Sequence, residues 1–217
     1  MILTEKLRNS ADMIWRRIFE HPFVVELYKG ELPVEKFKYY VIQDYNYLVE
    51  ISRCFSIISA KLDFNIAKQT LQIAYMDMTI EMDNYSALLE KLNLKFDEVI
   101  KTEPAPTNFA YMNFLVRTCS LGSPIEGLVA LLPCFWTYKE IAEYHKEKLK
   151  NNANNIYKDW ATTYLSKEYK ELVNMLKNII DTLPYTNYNT LEKIFITASK
   201  YEYMFWEMSY KMEKWSI

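Results

Sequence analysis

The segment Ser123-Pro124-Ile125-Glu126 runs on, with helical spacing kept, into Leu131-Leu132-Pro133-Cys134-Phe135-Trp136-Thr137-Tyr138. Ser123 is placed to cap a helix, Pro124 suits its first position, and Glu126 can reach back to close a capping box. Apolar residues recur at Leu128, Leu132, Phe135 and Ile141, so the spacing predicts one helix that passes through Pro133. A proline there leaves the carbonyl of Val129 without its N–H partner and bends the helix. The bend can aim Cys134 and Tyr138, one turn apart on the same side, into a cavity that a straight helix would fill. Spacing alone leaves two readings of Cys134. One is a small buried hydrophobe, the commoner lot of a thiol in an apolar helix; the other is a reactive group facing a pocket.

Working outward, every other long segment also carries helical periodicity. Thr4 can cap a first helix through Leu7, Ala11, Ile14 and Ile18 that ends near His21-Pro22. After Leu32-Pro33 a second helix has the stripe Phe37, Val41, Asp44, Leu48, Ile51 and Phe55, with Tyr47 three residues beyond Asp44. The spacing puts Asp44 on an inward face, where it needs an interior tyrosine, a backbone group or a bound ligand as partner. A third helix, from near Asn65 to Leu92, reads Ala67, Leu71, Ala74, Met78, Tyr85 and Leu88, with Glu81 on the same stripe as a structural acid. Thr107, after the break at Pro104-Ala105-Pro106, can cap a fourth helix containing Tyr111. Beyond the Cys134 helix come a polar stretch from Lys146 to Asn155, a short helix near Ile156 to Tyr164, and a helix capped by Ser166. A last helix from about Thr190 carries Leu191, Phe195, Ala198, Glu202, Phe205 and Met212. No stretch alternates as a strand does. The expected fold class is all-α, with residues 1–217 forming a single domain.

Composition narrows the function. A formal net charge of -2 gives no basic field for a phosphate backbone, so nucleic acid is not an expected partner. Three cysteines without CxxC spacing favour a reducing compartment, with the cytoplasm as default. The first residues reach Glu5 too soon for a signal peptide, and the longest apolar run is too short to span a bilayer. Three glycines cannot build a Walker loop or a dinucleotide fingerprint. Two histidines, expected at the surface or at helix ends, disfavour a metal or haem site, so no cofactor and no metal are expected. Eighteen tyrosines suit a flat heteroaromatic ligand as well as a core.

Three helices thus present Asp44, Cys134 and Glu202 on inward stripes, although periodicity does not by itself bring them together. At these residues the chain resembles the TenA/thiaminase II family. The resemblance is carried by His21-Pro22-Phe23-Val24, by LPVEKFKYYVIQDYNYL from Leu32 to Leu48, by PAPT from Pro104 to Thr107, by ALLPCFWTYKE from Ala130 to Glu140, and by YEYMFWEMSY from Tyr201 to Tyr210. It implies a haem-oxygenase-like helical bundle, a homotetramer, and hydrolysis of aminopyrimidines: thiamin, or the aminomethyl-pyrimidine left by its breakdown. It further implies that Cys134 is the nucleophile and Asp44 the acid that holds the ring nitrogen and amino group. Tyr47 would tune the cysteine, Glu202 would supply the proton to the leaving group, and Tyr111, Trp136, Tyr138 and Tyr164 would line the pocket. Three other classes remain open on the sequence: a pocket that binds a pyrimidine without turning it over, a fold relative with cofactor or di-iron chemistry, and a regulatory partner protein.

Overall fold

The computed structural model describes residues 2–217, side chains at 80, 81, 83 and 84 excepted, so the Glu81 side chain lies outside the described residues. The organising helix is α8 (Pro124–Tyr144), with the Ser123 cap in place and the Ser123 N–H donating to Glu126 Oε2 at 2.8 Å. It is buried on every side from Gly127 to Thr137, as a helix apolar all round must be. Around it pack α2 (Asp12–Phe19), α4 (Val34–Ser59), α7 (Pro106–Leu121), α11 (Lys167–Thr182) and α12 (Tyr188–Lys211). α5 (Phe64–Lys91) lies on α4 and α11, while α1 (Leu3–Ser10), α3 (Pro22–Lys29) and α10 (Asn155–Thr163) close the periphery. The short α6 (Phe96–Val99) and α9 (Lys146–Lys150) complete a set of twelve helices, with no strand among the described residues. α8 meets α4 closely because Gly127 has no side chain. A Cβ there would stand 2.8 Å from two carbons of Ile58.

Several expected helix ends are corrected. The first helix is two, broken at Ala11, and Thr4 is not its cap but a first-turn residue. Its N–H and hydroxyl donate to the two oxygens of Asp181, each at 2.8 Å. Thr107 likewise donates, from N–H and hydroxyl, to Glu213 at 2.9 and 3.1 Å, and Ala105 takes the N-cap position. Both helix starts are satisfied by carboxylates remote in sequence, which no local signature displays. A helix does end near His21-Pro22, as α2 stops at Phe19, and the same pair also begins α3. His21 Nδ1 accepts the Phe23 N–H at 3.1 Å, Pro22 takes the first turn, and Gly30 closes the helix at φ 83°. The histidines sit at helix ends as expected but are buried rather than at the surface: His21 pairs with Glu207 at 3.0 Å and His145 Nε2 with the Phe19 carbonyl at 2.7 Å.

The register of α5 also differs. Ala74, Tyr85 and Leu88 face inward as expected, but Leu71 and Met78 are 48% and 49% exposed. Thr70, Ile73 and Asp77 are buried instead. With Phe64, Leu71, Tyr75 and Met78 apolar yet exposed, hydrophobicity on α5 spreads over more than one face and does not select the one that packs.

Candidate active site

Between α4, α5 and α8 lies a cavity enclosing about 360 Å³ of empty space, part of it open to solvent. Cys134 and Tyr138 reach it from α8, one turn apart as their spacing requires, and Asp44 and Tyr47 reach it from α4. Tyr164, just past the end of α10, closes a third side, its ring 4.9 Å from that of Tyr138. The Cys134 thiol donates to the Leu131 carbonyl at 3.1 Å, a bond to the turn before it that sets the direction of the sulfur. Cys54, Cys119 and Cys134 are all buried thiols, with no disulfide among the described residues.

Glu202 and Tyr111 join the site from behind its wall, outside the set of residues that line the cavity. Glu202, 3% exposed, accepts the Tyr111 hydroxyl at 2.7 Å on one oxygen and the Thr137 hydroxyl at 3.3 Å on the other. Burial pushes its carboxyl up from 4.5 to about 7, against the opposing pull of these donors. Tyr47 links the two layers. It lines the cavity, its ring lies 5.1 Å from that of Tyr111, and it stands near Cys134 and Glu202. Its buried hydroxyl faces Glu202 and Tyr111 at hydrogen-bonding approach, short of the ideal geometry of a full bond. Burial, and next the neighbouring Cys134, hold Tyr47 well above the usual phenol range, so it remains neutral. Tyr138 is held up in the same direction, by burial first and then by Asp44, and shares a 2.9 Å hydrogen bond with Tyr40.

Trp136 is placed elsewhere. It lies about 200° around the helix from Cys134 and packs edge-on to Trp15 at 5.5 Å, with Lys177 Nζ 3.8 Å from its ring centre. It does not line the cavity, because a residue two positions on from the pocket-facing cysteine must look the other way. Three lining residues escaped the sequence reading. Tyr40 lies one turn before Asp44 on the same face, and Asp77 follows Ile73 by four, so both carried a periodic signal. Tyr169 opens the apolar stripe of α11 that runs through Leu172, Val173 and Leu176, so its burial was signalled too; that it reaches this cavity, with its hydroxyl donated to the Phe135 carbonyl at 3.2 Å, is set by tertiary packing.

The helical arrangement is that of the haem-oxygenase-like class. The chain superposes on a domain of that fold from Shewanella denitrificans with a TM-score of 0.74, covering 98% of this chain and 93% of that one at 12% identity. Within that class it belongs to the TENA/THI-4/PQQC family, whose sequence model matches residues 8–212. Among its relatives, an aminopyrimidine aminohydrolase of Halalkalibacterium halodurans is 31% identical over 100% of this chain and 99% of its own. One of Bacillus subtilis is 32% identical over 100% and 93%. A TenA homologue from P. horikoshii OT3, known as a structure, aligns with a TM-score of 0.94 at 50% identity, covering 97% of this chain and 99% of that one.

Proposed function

We propose that this protein is an aminopyrimidine aminohydrolase of thiamin salvage. It replaces the amino group of 4-amino-5-aminomethyl-2-methylpyrimidine by hydroxyl, releasing ammonia, and cleaves thiamin at the same methylene. The observation that carries this reading is the placement of Cys134, Asp44 and Tyr47 on one tyrosine-walled cavity, with Glu202 linked to it through Tyr47 and held at a pKa of about 7.

The chemistry requires these groups. Direct loss of the leaving group would put positive charge on the methylene of an electron-poor ring. Addition of the Cys134 thiolate to the ring turns it into an electron donor that expels the amine, after which water adds to the exocyclic methylene and the thiolate departs. Cys134 lies in mid-helix, where the helix dipole contributes little. Ring activation by a hydrogen bond to Asp44 supplies the electrophile instead. Glu202, half-protonated near neutrality, donates the proton to the leaving group through Tyr47. The tyrosine rings of the wall offer π faces to a flat ring. In this reading the chain acts as one domain, in the cytoplasm, assembled as a homotetramer. No helix among the described residues is long and apolar enough to cross a membrane.

The test is hydrolysis of the aminomethyl-pyrimidine and of thiamin by the reduced protein beside Cys134→Ser. Turnover is expected to fall at least about 1,000-fold in the variant while the neutral hydroxymethyl product still binds. Binding without turnover in the intact protein would instead make it a pyrimidine-binding module.

A further inference from the structure

Asp77 has no part in the reaction as described above, yet it is 4% exposed and its side chain lines the same cavity as Cys134. The cavities strung along α4 fix where it stands. Asp44 is shared between the central cavity and a neighbour bounded by Tyr85 and Leu88 of α5. Leu48, one turn further along α4, is shared with a second neighbour, on the opposite side, which Asp77 also lines together with Met78. α4 and α5 therefore run antiparallel, and Asp77 sits at the Leu48 end, Leu48 itself lying about 6 Å beyond Asp44 along the α4 axis at 1.5 Å per residue. Cys134 opens onto the same cavity.

We propose that Asp77 is the residue that selects the cationic leaving arm of the substrate. The inference rests on the pyrimidine reading above and adds to it the recognition of charge. The aminomethyl arm is an ammonium at neutral pH, since primary alkyl amines titrate near 10, and thiamin carries a thiazolium at the same position. Both substrates place one positive charge on the departing group, whereas the hydroxymethyl product is neutral. With Asp44 taken by the ring edge, Asp77 is the remaining carboxyl side chain of the cavity and the group left to meet the arm. A carboxylate in a largely desolvated wall discriminates strongly between a cationic and a neutral arm. It also stabilises the ammonium form of the arm, which Glu202 restores by proton donation whenever the bound amine is neutral, so that the electron pair of the breaking C–N bond leaves on nitrogen as neutral ammonia. Loss of the cation on hydrolysis then favours product release.

Calorimetric binding of the aminomethyl- and hydroxymethyl-pyrimidines to Cys134→Ser protein, with Asp77 and with Asp77→Asn, tests this without turnover. The Asn variant is expected to lose about tenfold or more in affinity for the cation, with affinity for the neutral product kept within about twofold. Equal weakening of both ligands, or of neither, overturns the proposal. Should the Asn variant fail to fold, Asp77→Glu decides: it keeps the preference for the cation, and loss of that preference refutes the role. Failure of the hydrolase reading shows separately, as absent turnover in protein with Cys134 intact; a charge preference that depends on Asp77 would survive that outcome.

Discussion

Replacing Glu202 by glutamine removes a titrating group from the interior while leaving an amide whose oxygen accepts from Tyr111 and whose NH2 can donate to the Thr137 hydroxyl. In the native protein burial raises the carboxyl from 4.5 to about 7. Between those values the folded state binds more protons at this site than the unfolded state, so stability falls as pH rises through the interval and stays low above it. Below 4.5 the group is protonated in both states and costs nothing. At about 1.36 kcal/mol per decade of proton affinity, the interval corresponds to about 3 kcal/mol. Glu202→Gln is therefore expected to gain on the wild type by up to about 3 kcal/mol between pH 5 and pH 8, while losing turnover through the missing proton donor. Urea unfolding of both proteins at each pH reads this directly, as a difference in midpoint that grows with pH at constant slope. A difference that does not change with pH would falsify the claim of a buried, proton-retaining carboxyl. Unchanged turnover in the same variant would remove Glu202 from the mechanism.

Two further outcomes follow from packing. Trp136→Phe should leave KM within about twofold and act on stability alone, since the ring packs on Trp15 under Lys177 and away from the cavity; a KM raised tenfold in folded protein would return it to the pocket. Gly127→Ala adds a methyl 2.8 Å from Ile58 and should destabilise by about 1–3 kcal/mol despite the better helix propensity of alanine. Partial recovery on adding Ile58→Val would trace the cost to that contact, and a stabilised single variant would contradict it.

The sequence alone was enough for the all-α class and for the inward faces of the helices that carry the candidate site. The capping box at Ser123–Glu126, the period through Pro133 and the inward positions of Asp44, Cys134 and Glu202 are all local patterns. A helix displays them because its geometry repeats every few residues. Tertiary structure decided what local pattern does not encode. It chose the face of α5 that packs, and with it Asp77, because more than one face of that helix is apolar. It supplied Asp181 and Glu213 as caps for distant helices, and it turned Trp136 out of the pocket that its neighbours line. It also set Glu202 behind Tyr47 rather than in the cavity wall, and so made it a weak acid: a carboxyl's proton affinity follows from the solvent it loses on burial, and no spacing of residues records that loss.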